Sequence, residues 1–76
     1  MQNWRAVAHF KNGKDALVIL GISQYQVTTT YHEAFLDVIH PELQSICTGI
    51  SLQRWRGKPD RGNWLPVGTL KIPGCR

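Results

Sequence analysis

The sequence has little of what membrane proteins, disulfide-rich secreted proteins and zinc proteins require. Its longest apolar run, residues 16–20, has the length of a strand, whereas a membrane-spanning helix needs about 20 apolar residues. The first residues carry no apolar signal-peptide core. Only Cys47 and Cys75 are present, at no metal-like spacing, and two free thiols are a simpler interpretation than a bridge between them. We therefore expect a cytoplasmic protein that does not bind membranes.

Groups that carry catalysis are also sparse. The histidines have neither an i,i+4 partner nor a cysteine cluster nearby, as zinc sites require. They are His9, His32 and His40. Glu33 and Asp37 would lie on the solvated face of a helix, whereas acid–base catalysis needs a desolvated pocket. Cys47 lacks the neighbours of a nucleophile, and no glycine-rich phosphate loop occurs. We expect no enzymatic activity, no metal and no cofactor.

Negative charge is nearly absent from the second part of the chain. Residues 45–76 carry six arginine and lysine residues but a single carboxylate, Asp60, whereas residues 1–44 are slightly acidic. Such asymmetry is typical of a basic surface that meets nucleic acid, an acidic protein or lipid headgroups. It is equally compatible with a surface whose charge only maintains solubility. The 76 residues, 42% of them hydrophobic, suffice for one small domain over residues 1–76.

Two strands joined by a tight turn are predicted near the start of the chain. Residues 4–10 alternate, and Asn12-Gly13 between two apolar runs is a strong hairpin signal, because both positions of a two-residue turn need positive φ. This turn predicts three cross-strand pairs: Phe10 with Asp15, Ala8 with Leu17, and Ala6 with Ile19. The face expected to meet the core carries Trp4, Ala6, Ala8, Phe10, Leu17 and Ile19. The other face carries Arg5, Val7, His9, Ala16, Val18 and Leu20.

An amphipathic helix is predicted to follow. Ser23 with Gln26 three residues later forms a capping box, and a proline at position 41 ends the helix near residue 39 or 40. A run of β-branched threonines has poor helix propensity, and Thr30 with Glu33 gives a second capping box. The helix therefore begins either at Gln24, which we favour, or near Thr30. Its core-facing stripe is predicted to be Val27, Tyr31, Ala34, Phe35 and Val38.

Two further strands and a turn complete the pattern. Residues 46–55 and 64–72 are predicted strands, and Pro66 with Gly68 makes the second of them typical of an edge strand or a bulge. Between them, Pro59 presets φ for a turn in which Gly62 takes the left-handed position. The order β-β-α-β-β predicts a two-layer α+β fold, an antiparallel sheet of three to four strands with one helix packed on one face. The tail, residues 73–76, is expected to fray.

The most suggestive segment is residues 52–64, where tryptophan and basic side chains cluster around one turn. These residue types are enriched at binding surfaces. The predicted partner surface consists of Arg54, Trp55, Arg56, Lys58, Arg61 and Trp64. The structural alternative is a cross-strand pair of Trp55 and Trp64 that stabilises the hairpin by roughly 0.2–1 kcal/mol. Alternation puts Arg54 and Arg56 on the face opposite to Trp55.

The predicted function is a small non-catalytic binding module that docks on another protein. Docking would use the sheet face left free by the helix together with the basic Trp-Arg hairpin. The alternative is a nucleic-acid-binding module, in which Trp55 and Trp64 stack on bases and residues 54–61 meet phosphates. Salt separates the two functions, because phosphate contacts weaken steeply as its concentration rises.

Overall fold

The computed structural model describes residues 2–73 and confirms the α+β fold. Its elements are β1 (Trp4–Phe10), β2 (Asp15–Gly21), α1 (Gln24–Val38), α2 (Pro41–Gln44), β3 (Cys47–Lys58) and β4 (Arg61–Leu70). The four strands form one antiparallel sheet in the order β2-β1-β3-β4, with α1 packed on one face. The short helix α2 was not predicted. Within residues 2–73, neither helix is long and apolar enough to cross a membrane.

The tail lies mostly outside the described residues. Pro73, the last of them, is buried. Fraying was expected of residues 73–76, and for residues 74–76 this expectation lies outside the described residues, as does the pairing state of Cys75. Cys47 is half-buried, and its thiol donates to the carbonyl oxygen of Gly49 at 3.5 Å.

The first hairpin has a three-residue loop rather than the predicted two-residue turn. The amide of Gly13 donates to the carbonyl of Phe10, and the amide of Phe10 donates to the carbonyl of Lys14, both at 3.0 Å. Only Gly13 in this loop needs a positive φ, of 84°, which is the pattern of a type I turn followed by a glycine bulge. The predicted pairs of Phe10 with Asp15 and of Ala8 with Leu17 are therefore wrong. The structure pairs His9 with Asp15, and Ala8 with Ala16.

A second irregularity restores the register further along the hairpin. The pairing shifts between Ala6 and Val7, so that Ala6 lies opposite Ile19 as predicted, and Val18 is the extra residue on β2. Val18 therefore enters the core, whereas Leu17 is 48% exposed. The prediction that Leu17 faces the core and Val18 the other side is wrong, because it assumed an uninterrupted alternation between two tight strands. Ala16 also packs against the core, contrary to the prediction.

We expect Gly13→Val to destabilise the domain by roughly 1–3 kcal/mol, because a β-branched residue is strained at positive φ. No atom lies within 4 Å of a Cβ built at Gly13, so backbone conformation alone causes the loss. Gly13→Asn is the matched control, since asparagine tolerates the left-handed region. Urea denaturation of the two variants measures the difference. Equal stabilities would contradict the three-residue loop.

The helix begins at the earlier of the two predicted positions. Ser23 caps α1 by accepting a hydrogen bond from the amide of Gln26 at 3.1 Å, and the side chain of Gln26 accepts from the amide of Ile22 at 2.8 Å. The hydroxyl groups of Thr28, Thr29 and Thr30 donate to carbonyl oxygens one turn earlier. These bonds keep the threonine hydroxyls satisfied inside a helix that threonine otherwise disfavours.

The end of the helix corrects one core residue. Val27 and Phe35 are fully buried and Tyr31 and Ala34 are half-buried, as the predicted stripe requires. Val38, by contrast, is 57% exposed. The chain leaves the helix at Ile39, which adopts an extended conformation and is buried in place of Val38. The side chain of Gln44 then donates to the carbonyl of Ile39 at 2.7 Å and so satisfies one of the last carbonyls of the helix region.

The core lies between the sheet and α1. It leaves uncovered the sheet face opposite α1 and the part of the second hairpin that extends beyond the helix. Its buried residues are Ala6, Ala8, Phe10, Val18, Val27, Phe35, Ile39, Ile50 and Leu52. Helix α1 packs chiefly on β2 and β1, which have seven residues each, whereas β3 and β4 have twelve and ten. The second hairpin therefore extends beyond the helix. We call the sheet face without the helix the open face.

Candidate functional site

The second hairpin is longer and tighter than predicted. Lys58 pairs with Arg61, so that the loop contains only Pro59 and Asp60. The expected left-handed residue was Gly62, but the structure gives the positive φ, 124°, to Gly57. Gly57 and Gly62 are cross-strand partners. A Cβ at either position would collide with the backbone of the opposite strand, so the two chains approach closely at this point.

The two tryptophans form a packed pair on the open face. Trp55 lies directly opposite Trp64, with ring centroids 5.3 Å apart and planes inclined by 68°, which is an edge-to-face contact. The indole of Trp55 lies over Gly62, and its Nε1 donates to the carbonyl of Lys58 at 2.9 Å. Both rings are half-buried. The geometry is that of the structural alternative, a pair that stabilises the hairpin.

Arg5 covers one face of Trp64, a contact that was not predicted from the sequence. Its guanidinium carbon lies 4.3 Å from the centroid of Trp64, within cation–π distance. Its Nε donates to the side-chain oxygen of Gln53, its partner on β3, at 2.7 Å. Burial lowers the pKa of Arg5, but a guanidinium stays protonated in proteins. One face of the Trp64 ring is thus already occupied by a cation.

The basic residues of the second hairpin lie apart from the tryptophan pair. Arg54 and Arg56 alternate with Trp55 and fall on the helix side of the sheet, as predicted. The guanidinium carbon of Arg54 lies 5.4 Å from the ring centroid of Trp4, its partner on β1. Lys58 and Arg61 form the last cross-strand pair before the loop. The predicted site residues therefore belong to two surfaces.

We define the basic face as Arg54, Arg56, Lys58 and Arg61. All four side chains are exposed, and within residues 2–73 none of them forms an ion pair. The nearest carboxylate along the chain is Asp60, in the loop. Asn63 lies opposite Arg56, and Leu65 lies opposite Arg54. The basic face is thus a row of cations along a two-stranded ribbon, none of them with a carboxylate partner in residues 2–73.

The helical layer carries the opposite charge. No lysine or arginine occurs from residue 15 to residue 53. The exposed carboxylates of the helical layer are Glu33, Asp37 and Glu42. They do not form a metal site, since no group of three or more metal-ligating side chains is present in the described residues.

The open face is less apolar than the sequence suggested. Val7 is almost fully buried, and Val18 faces the core instead. On β2, Leu17 is the large apolar side chain of this face that is substantially exposed. Polar side chains on β1 and β3 bond to one another across the strands. No continuous apolar patch results from these residues.

A hydrogen-bonded row of three side chains crosses the open face from β2 to β3. Nδ1 of His9 lies 2.7 Å from Oδ1 of Asp15, and Nε2 of His9 lies 2.6 Å from Oγ of Ser51. The sequence pattern alone does not show that these residues meet. A three-residue loop in the first hairpin would have predicted the pairing of His9 with Asp15. Ser51 lies next to His9 only because β3 pairs with β1, which no local sequence signal predicts.

Comparison with family models, with curated proteins and with solved structures found no match for this chain. The assignment of function therefore depends on the geometry and charge of the two surfaces of the second hairpin.

Proposed function

We propose that this protein is a nucleic-acid-binding module whose basic face meets the phosphate backbone. The observation that carries the proposal is the row of four exposed cations on the basic face, none of them paired with a carboxylate in the described residues. Neutralising phosphates with such cations releases counterions, which is the main source of sequence-independent affinity. The carboxylates of the helical layer repel the same backbone and so orient the protein with its hairpin towards the ligand.

The spacing of the basic face supports this proposal. Side chains on one face of a strand recur about every 6.6 Å, and neighbouring strands lie about 4.8 Å apart. Along the axis of a duplex one strand rises about 3.4 Å per base step. Its phosphates also wind around the outside of the helix, so neighbouring phosphates of one strand lie farther apart than this rise and close to the side-chain spacing. Arg54 and Arg56 can therefore meet neighbouring phosphates. Lys58 and Arg61 extend the row towards the loop.

A duplex is a better ligand for this surface than a single strand. Single-strand binding would need free ring faces on Trp55 and Trp64, but the two rings pack on each other, and on Gly62 and Arg5. The major groove of a DNA duplex, about 12 Å wide, admits a two-stranded ribbon. The second hairpin is such a ribbon, and it extends beyond the helix.

Docking on another protein through the open face, the function predicted first from the sequence, has less support. Stable protein interfaces have an apolar core. On the open face Val7 is buried, and polar side chains of β1 and β3 that bond to one another separate the exposed Leu17 from the tryptophan pair. A cytoplasmic location stays a prediction, and the proposal requires only a compartment that contains nucleic acid.

Binding to a labelled DNA duplex, followed by fluorescence anisotropy between 50 and 200 mM salt, tests the proposal. Four phosphate contacts predict a slope of log K against log salt of about −3.6, a loss of roughly a hundredfold over this range. A single strand of the same length and sequence should bind more weakly. The double variant Arg54→Gln, Arg56→Gln should reduce the slope by about 1.8 and weaken the binding at low salt.

Lys11→Gln, Lys14→Gln is the matched control. It removes the same charge from the turn of the first hairpin, at the opposite end of the sheet, and should leave the slope nearly unchanged. An equal loss in both double variants would mean that net charge, not the basic face, drives binding. No duplex binding at 50 mM salt would overturn the proposal and leave an anionic protein surface as the partner to test.

A further inference from the structure

The row of Asp15, His9 and Ser51 on the open face has a defined proton arrangement. A carboxylate only accepts hydrogen bonds, so Nδ1 of His9 must carry the proton that bonds to Asp15 at 2.7 Å. In the neutral imidazole Nε2 is then an acceptor, and the hydroxyl of Ser51 donates to it at 2.6 Å. This is the tautomer that a histidine needs to act as the base for a serine nucleophile.

We propose that Ser51 is an activated nucleophile that accepts an acyl group from small activated esters. His9 is the general base, and Asp15 is a positioning residue that fixes its tautomer and orientation. The proposal departs from the sequence-based expectation of no enzymatic activity, because the sequence does not reveal that His9, Asp15 and Ser51 meet. It rests on the geometry of the open face and is independent of nucleic-acid binding, which uses the basic face on the other side of the sheet.

The surroundings of Ser51 define which substrates suit it. Ser51 is half-buried and 35% of the His9 side chain is exposed, so a small ester can reach both from solvent. Thr69, the exposed cross-strand partner of Ser51 on β4, carries a hydroxyl that can donate to a developing oxyanion. Gln53 lies two residues along the same face, and its side-chain oxygen accepts from Arg5. Its NH₂ group has no acceptor within residues 2–73 and can donate to the substrate. These donors face water, where hydrogen bonds are weak, so the substrate class is esters with good leaving groups rather than amides.

The chemistry balances without a further reactant. Oγ of Ser51 forms a bond to the acyl carbon while its proton passes to Nε2 of His9. The bond from the acyl carbon to the leaving oxygen then breaks, and the leaving alkoxide or aryloxide takes that proton. Water, deprotonated by His9, attacks the acyl–serine ester and releases the carboxylic acid and the free hydroxyl of Ser51.

The test is the reaction of the full chain with p-nitrophenyl acetate. Mass spectrometry of peptides from the acid-quenched wild type should locate an acetyl group on Ser51. Release of nitrophenolate should fall at least about tenfold in Ser51→Ala and in His9→Asn, since a positioned general base contributes roughly 10²–10⁴-fold. In Asp15→Asn the rate should fall, and Asp15→Glu should restore part of it, which a purely structural carboxylate would not cause.

Ser45→Ala is the matched control, because Ser45 is an exposed serine whose hydroxyl donates only to a nearby carbonyl. It should react like the wild type, and circular dichroism should show that all variants fold. An acetyl group found only on lysines or on His9, or an unchanged rate in Ser51→Ala, would overturn the proposal. The labelling of the wild type decides the question even if a variant fails to fold.

Discussion

Replacing Phe35 by alanine should lower the free energy of unfolding by roughly 3–5 kcal/mol. Phe35 has no exposed surface and is the largest fully buried side chain of the described residues. Its removal loses the transfer free energy of the ring and leaves a cavity between α1 and the sheet, where the neighbours are held by the strands and cannot collapse into the space. A small domain has a total stability of only about 5–15 kcal/mol, so this variant should be close to unfolding.

Urea denaturation followed by far-UV circular dichroism measures the change in the Phe35 variant. Leu36→Ala is the matched control, because Leu36 is the next residue of the same helix and is 47% exposed. Alanine is favourable in helices, so the control should change stability far less. A similar loss in both variants would mean that the helix packs through a different stripe than Val27 and Phe35.

The order of elements was predictable because each element has a local signal. The capping pair Ser23 and Gln26 fixes the start of the helix even though three threonines follow, since their hydroxyls find carbonyl partners within the helix. The burial of Ile39 in place of Val38 was not predictable from the 3.6-residue period, because the chain is no longer helical at Ile39. A periodic pattern describes only the residues inside the element that it assumes.

The register of the first hairpin shows where sequence patterns fail. Asn12-Gly13 signals a turn, but the pair of residues does not determine whether the loop has two or three residues. The difference shifts the facing residues by one position, and a bulge at Val18 then shifts them back. Leu17 and Val18 exchange sides as a result. Whether the loop has two or three residues depends on whether Leu17 or Val18 fills the core, which is decided by packing and not by the turn sequence.

The candidate surfaces were also predictable only in part. Alternation along β3 separates Arg54 and Arg56 from Trp55, and the structure has this arrangement. The contact of Arg5 with Trp64 was not predictable, because the residues are distant in sequence and meet only through the strand order β2-β1-β3-β4. The row from Asp15 to Ser51 crosses the same strands and was missed for the same reason.

Gly57→Ala should distort the tip of the second hairpin and abolish most of the proposed duplex binding while the core stays folded. At Gly57 the positive φ of 124° alone costs an alanine roughly 1–3 kcal/mol. Its Cβ would also lie 2.5 Å from the carbonyl oxygen of Arg61 and 2.7 Å from Cα of Gly62. These are backbone atoms of the opposite strand, so the strands must separate to accommodate the methyl group.

Strand separation at Gly57 would move Lys58 and Arg61 out of line with Arg54 and Arg56, although all four cations are still present. Duplex affinity should therefore fall without any change in net charge, and the fluorescence of the packed tryptophan pair should change with it. Gly49→Ala is the matched control on the same strand, because Gly49 has no positive φ and no atom within 4 Å of a Cβ built there. If the two alanine variants bind duplex equally well, the aligned row of cations is not what holds the nucleic acid, and charge alone accounts for the binding.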